Sequence, residues 1–323
     1  MRTEVNRILL LLVLAALVAA PACVIDDGVG ASGSFERSFD VPSRVRVEVR
    51  NSSGDTTITV GRAGKVHVRA EVRAGSIFGD DRRRVEQVTS SPPLDLAGSL
   101  LRIGPSRIRN VRITYTIEAP ADAILDVHSG SGDVEAHGVE GPVKLGTGSG
   151  DIRVSGVRQS AEVSTGSGDL TVRDVGGTLD ARTGSGQMRF ENIGGDLRAR
   201  TGSGDVDVIQ AARRVDVRTG SGSIEVQGSA SDLRLHTSSG DCDVEGNPPR
   251  GSLWEIETGS GDVTLDVPSS ASFQLHVLGR ISRVDSDIRM VTEENSRREL
   301  RARVGGGEAR VRVETRSGSV RIR

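Results

Sequence analysis

Residues 165–182 read Thr-Gly-Ser-Gly-Asp-Leu-Thr-Val-Arg-Asp-Val-Gly-Gly-Thr-Leu-Asp-Ala-Arg, and the pattern restarts at Thr183-Gly184-Ser185-Gly186. The glycine closing each Ser-Gly pair falls at Gly132, Gly150, Gly168, Gly186, Gly204, Gly222 and Gly240, a constant interval of 18 residues. Gly261 follows after 21, which places a three-residue insertion near Asn247-Pro248-Pro249. Outlying copies stand at Ser52-Ser53-Gly54-Asp55 and Ser317-Gly318-Ser319. A short fixed period marks a solenoid, in which each repeat buries its apolar side only against its neighbours.

With that glycine as position zero, position two holds Val134, Ile152, Leu170, Met188, Val206, Ile224 and Cys242. Position four holds Ala136, Val154, Val172, Phe190, Val208, Val226 and Val244. Positions eleven and thirteen repeat the arrangement, as in Leu179 with Ala181 and Val215 with Val217. Alternation of apolar and polar residues over a few positions is the signature of a strand with one buried face. The sequence therefore predicts an all-β, single-stranded β-solenoid (β-helix) with 18-residue rungs, two main strands per rung and caps at both ends. A shorter inward contact is expected at position seven (Val139, Val157, Val175, Ile193), and rungs stack about 4.8 Å apart.

The bulk composition agrees. Aromatics are only 2% and glycine numbers 41 in 323 residues, which suits thin repeated layers better than a thick globular core. The formal net charge of −2 argues against a dedicated nucleic-acid binder, and few aromatics means few stacking platforms for bases or sugars.

The N-terminus carries an export signal: Arg2 and Arg7, an apolar run over 8–20 too short to span a bilayer, then Ala20-Pro21-Ala22 before Cys23. Residues 1–22 read as a signal peptide. Cys23 follows as the lipidated first residue of a bacterial lipobox, with ordinary cleavage at the same bond as the alternative. An acyl anchor contributes about 0.8 kcal/mol per buried methylene. Cys242 then reads as a small core residue; a Cys23–Cys242 disulfide is the other possibility. Residues 23–40 read as a tether, 41–120 as an N-terminal β cap or irregular rungs, 121–268 as the regular solenoid, and 269–323 as C-terminal rungs and cap. Loops are expected over 79–84, 90–93 and 293–298.

The Ser-Gly-Asp-Val rungs, Cys23 in its signal, and the closing Val311-Arg312-Val313-Glu314-Thr315-Arg316-Ser317-Gly318-Ser319-Val320 resemble the bacterial adhesin-like β-strand-repeat proteins, a domain family of unknown function. The resemblance spans about residues 40–323. It implies a β-solenoid on the cell envelope and supplies no catalytic residues.

Two columns carry candidate chemistry. Asp133, Asp151, Asp169, Asp205, Asp241 and Asp262 stand at position one, where stacked carboxylates either attract calcium or accept turn N–H groups. The latter reading is preferred, since Gln187, Ser223 and Ser319 interrupt the column. No metal site and no cofactor are expected. At position fourteen, Arg182, Arg200, Arg218 and His236 form a candidate anion-binding stripe, with Asp180 and Asp216 at position twelve able to screen it. His128 beside Ser129 and Asp126 reads as coincidence, and no Gly-x-Ser-x-Gly elbow leads into a helix. The expectation is a non-enzymatic, exported binding scaffold, held to a membrane by its lipid and meeting an anionic envelope polysaccharide or another envelope protein. The alternatives are a polysaccharide-processing β-helix enzyme, with Trp254 beside the insertion as the place to look, and an envelope-stress sensor that binds a partner protein.

Overall fold

A computed structural model describes residues 24–26, 30–75 and 80–323; the signal peptide and Cys23 lie outside the described residues. The described chain is all-β apart from one helix, and its strands join into a single sheet that wraps solenoid-like around one core.

Two ladders of parallel strands run through the regular region. In one, Val143–Ser149, Ala161–Ser167, Leu179–Ser185, Leu197–Ser203 and Arg214–Ser221 pair in order, with Val143 opposite Ala161, Leu179 opposite Leu197 and Leu197 opposite Val215. In the other, Ile152–Val157, Leu170–Val175, Met188–Ile193 and Val206–Ala211 do the same, with Ile152 opposite Leu170 and Met188 opposite Val206. Partners are 18 residues apart in both. Each strand begins with alternating buried and outward positions, and the apolar columns are fully buried: Ile152, Leu170, Val206, Leu197 and Val215 are all 0% exposed. Stacked aliphatics of this kind contribute roughly 1.5–3 kcal/mol per buried side chain.

The corner joining the ladders explains the Thr-Gly-Ser-Gly repeat. The closing glycine takes a left-handed φ, +146° at Gly168 and +143° at Gly204, and a Cβ on Gly204 would meet the Gly186 carbonyl oxygen at 2.0 Å. Only glycine fits. The preceding threonine is buried, and its Oγ1 donates to the glycine carbonyl one rung back, as from Thr165 to Gly150 and from Thr183 to Gly168.

A second left-handed position lies at position six: Gly138, Gly156, Asp174, Asn192, Gln210 and Gly228 have φ between +55° and +119°. Continued alternation would turn position six inward. The left-handed residue shifts the phase by one, so Val139, Val157, Val175 and Ile193 at position seven are the buried ones. Asn and Asp tolerate this conformation better than other side chains.

Both outlying glycine copies belong to the same corner. Asn51 stands opposite Ser129, and a Cβ on Gly132 would meet the Gly54 carbonyl oxygen. At the other end Ser260 stands opposite Ser317, so Ala309–Ile322 pairs directly with Leu253–Ser260 and Val263–Asp266. Phe273–Ser286 stacks outside that last strand. The chain terminus thus slots in one place ahead of a segment that precedes it in sequence.

Three expectations need correction. Residues 31–40, read as tether, form the strand Ala31–Asp40, antiparallel to Lys65–Ala74, with Phe35 and Phe39 buried. Gly33 and Arg37 occupy alternate positions where apolar residues would have disclosed it. From residue 81 the expected loop is the helix Asp81–Ser90, which buries Val85 and Val88 behind the polar run Arg82-Arg83-Arg84. The expected loop at 293–298 narrows to a hairpin turn between the antiparallel strands Met290–Asn295 and Glu299–Val304.

Candidate anion-binding ladder

The stripe residues lie on adjacent strands in register: Arg182 opposite Arg200, Arg200 opposite Arg218, and Arg218 opposite His236. Their strands alternate strictly, so inward Ala181, Ala199, Val217 and Leu235 fix these four side chains outward. The spacing between neighbours is set by the sheet, at about 4.8 Å.

Three of the four are held by carboxylates. Arg182 Nη2 donates to Asp180 Oδ2 at 2.8 Å, Arg218 Nε donates to Asp216 Oδ1 at 3.1 Å, and His236 Nδ1 lies 3.1 Å from Glu257 Oε2. Arg200 makes no hydrogen bond or ion pair among the described residues. Neither does Arg198, two residues earlier on the same face, at position twelve of the repeat. Its cross-strand neighbours Asp180 and Asp216 are occupied by Arg182 and Arg218, so the strand Leu197–Ser203 presents two uncompensated guanidinium groups at the centre of the ladder. The sequence signal existed: this is the one rung of the repeat with Arg at both outward positions.

At its C-terminal end the same face forms an open cleft of about 490 Å³ in which Arg218, Arg234 and Arg312 alternate with Glu255, Glu257 and Glu314. Arg234 Nε donates to Glu255 at 2.9 Å, and that hydrogen bond holds the guanidinium above its usual range. At the N-terminal end Arg50 donates to Asp126 at 3.0 Å. Partial burial of Asp126 opposes its ionisation, but Arg50, His128 and Lys144 hold its carboxyl below the usual range.

The aspartate column acts on the backbone. Asp133 Oδ1 accepts from the Asp151 amide at 2.9 Å, Asp151 from Asp169 at 3.0 Å, Asp169 from Gln187 at 2.8 Å, and Asp262 from Ser319 at 2.7 Å. Ser129 Oγ is buried whereas His128 and Asp126 face outward, because successive residues of a strand point to opposite faces. The three do not converge. Trp254 is 0% exposed, with Nε1 donating to the Ala230 carbonyl at 3.2 Å; it fills the wider rung made by the insertion and offers no surface to a sugar.

Among solved structures, the chain is similar to three provisionally named proteins: a cell adhesion protein from Clostridium sporogenes, a lipid binding protein from Parabacteroides distasonis and an adhesin from Bacteroides fragilis. Identities are 11%, 12% and 11%, with TM-scores of 0.21, 0.42 and 0.30. Each alignment covers 90% of this chain, and 98%, 96% and 97% of the other. No curated protein matches. The family profile described as Toastrack DUF4097 matches residues 121–214 and again 208–323, the two ladders and the strands that follow them. With most of its length covered by those two matches, the chain belongs to the Toastrack DUF4097 family.

Proposed function

We propose that this protein is an exported, lipid-anchored component of the bacterial cell envelope that acts as a non-catalytic, adhesin-like binding scaffold. Its 18-residue coils form a rod, closed by antiparallel strands at either end, that holds a binding face at a distance from the membrane. Antiparallel end strands prevent further parallel rungs from adding to the open ladders. The bound partner is an anionic envelope polysaccharide, and it docks across the strand Leu197–Ser203.

The observation that carries this reading is the unpaired Arg198 and Arg200 between two held arginines, on a face whose charges repeat at the spacing of the strands. Arginine forks suit carboxylate and phosphate groups, and evenly spaced forks suit a repeating polyanion. Titration calorimetry with polygalacturonate as the probe tests it. Binding should weaken roughly tenfold or more in R198Q/R200Q, and the wild type should lose affinity steeply with added salt. Equal binding by the two proteins would end the ladder reading. For the anchor, Cys23→Ala should move the protein from the membrane fraction to the soluble fraction.

A further inference from the structure

A second basic site lies away from the ladder, at the N-terminal end of the rod. There the strand Val111–Ala119, not another glycine corner, stacks over Ser52-Ser53-Gly54, with Ile113 N donating to the Ser53 carbonyl at 2.9 Å, and an open cleft of about 950 Å³ lies beside the junction. Arg73, Arg109 and Arg112 line it, with Ser52, Ser53 and Asn110. Arg73 and Arg112 stand directly opposite one another on antiparallel strands, a like-charge pairing that is unfavourable by itself. Arg109 and Arg112 make no hydrogen bond or ion pair among the described residues, and Arg73 reaches only Glu71, at 3.4 Å. The aliphatic stem of Arg112 passes close to Gly54, so the glycine leaves this arginine room at the mouth of the cleft.

The cleft also sits where the chain enters the fold. Val24–Asp26 pairs with Ala31–Gly33, Ala31 stands opposite Ala74, and Ala74 stands opposite Val111. Three strand spacings of about 4.8 Å put Asp26 on the order of 15 Å from Val111. A chain tethered just before Val24 therefore carries Arg73, Arg109 and Arg112 to the membrane surface, whereas the Arg198–Arg200 strand lies several rungs away.

We propose that this cleft binds a phosphate group, and that the phosphate is the headgroup of an anionic phospholipid in the membrane that anchors the protein. Three guanidinium groups lining one cleft, with hydroxyl and amide donors beside them, suit a phosphate oxyanion, and basic residues at a membrane surface are attracted to anionic lipid. The phosphate site stands on the cleft alone; its assignment to a lipid rests on the envelope reading above.

The test uses the full chain carrying Cys23→Ala, so that no acyl group contributes. Sedimentation with vesicles of phosphatidylcholine alone sets the charge-independent baseline, and vesicles of equal parts phosphatidylcholine and phosphatidylglycerol measure the cleft. Calorimetry with glycerol phosphate covers a soluble source. The anionic vesicles should bind more tightly, and R73Q/R109Q/R112Q should reduce that gain roughly tenfold or more. R198Q/R200Q should leave it unchanged, which separates this site from the ladder and controls for folding. Glycerol phosphate binding without any gain on anionic vesicles would overturn the lipid assignment. An undiminished gain in the folded triple variant, checked by circular dichroism, would overturn the site itself.

Discussion

Replacing Gly204 with Ala tests the corner on which the whole array depends. Gly204 has φ +143°, and a non-glycine residue in left-handed territory costs roughly 1–2 kcal/mol. The added Cβ also meets the Gly186 carbonyl oxygen at 2.0 Å and its carbon at 2.6 Å. Both are backbone atoms fixed in a ladder, so relief requires the two rungs to part by about 1 Å. Three bonds cross that gap: Gly186 N to Ser203 O at 3.0 Å, Met188 N to Asp205 O at 2.9 Å, and Thr201 Oγ1 to Gly186 O at 3.5 Å. At roughly 0.5–1.5 kcal/mol each, their weakening adds about 2–3 kcal/mol.

Gly251 provides the control. Its φ is +79°, and a Cβ there meets nothing within 4 Å, so Gly251→Ala isolates the backbone term. Urea titration at unchanged slope should show G204A losing about 2–3 kcal/mol more than G251A. Hydrogen exchange should place the damage at the Gly186 and Met188 amides, since each rung touches only its neighbours. Equal losses for the two variants, or exchange spread evenly over the rod, would refute the idea that close corner packing dictates glycine.

Other predictions follow from single residues. Cys242 is fully buried, and that burial, with Asp243 and Asp241 nearby, pushes its thiol up to about 12; alkylation at neutral pH should therefore be negligible until the protein unfolds, and Cys242→Val should change stability by less than about 1 kcal/mol. Gln210 occupies the left-handed position six with φ +57°, where Asn192 and Asp174 sit in the two preceding rungs, so Gln210→Asn should raise the unfolding free energy in urea titration by up to about 1 kcal/mol. Asp126 and Asp207 should show opposite pH signatures. The carboxyl of Asp126 is held low, so its stabilisation is present above the usual carboxylate range and disappears as pH falls through it; the deficit of Asp126→Asn should shrink on acidification. Asp207 is held high by partial burial and then by Glu225, so stability associated with it is present in acid and lost as pH rises; Asp207→Asn should be neutral or stabilising at pH 7 and lose that advantage in acid.

The fold was legible wherever the period was strict. Paired aliphatics at positions two and four and at eleven and thirteen were enough to orient every strand of the array, because a one-residue slip would expose the whole set. The left-handed column at position six was also present in the sequence, as Gly138, Gly156, Asp174, Asn192 and Gly228, but it mattered only once Val139 and its equivalents were seen to break the alternation. What sequence could not supply was long-range order. Nothing local in Ser317-Gly318-Ser319 says that it stacks on Gly261 ahead of Phe273–Ser286. The N-terminal cleft was equally hidden, since Arg73 and Arg112 meet only through an antiparallel pairing of segments far apart in the chain.

Stacking in register sets like residue upon like, so each outward column has to answer its own repulsion. The aspartates at position one do so by turning one oxygen to the next rung's amide, which ties each carboxylate to the backbone above it. At positions twelve and fourteen most arginines answer with the acid two residues earlier, or one rung away, as in Arg182 with Asp180 and Arg234 with Glu255. An arginine left without such a partner in a rigid lattice raises local potential where an ion of opposite sign would lower it. Arg198 and Arg200 at the ladder centre and Arg109 and Arg112 at the N-terminal cleft are groups of this kind, on separate parts of the rod. Mutating either set should leave the fold intact, because no packed side chain or ladder hydrogen bond depends on those guanidinium groups, and should change only what the rod can hold.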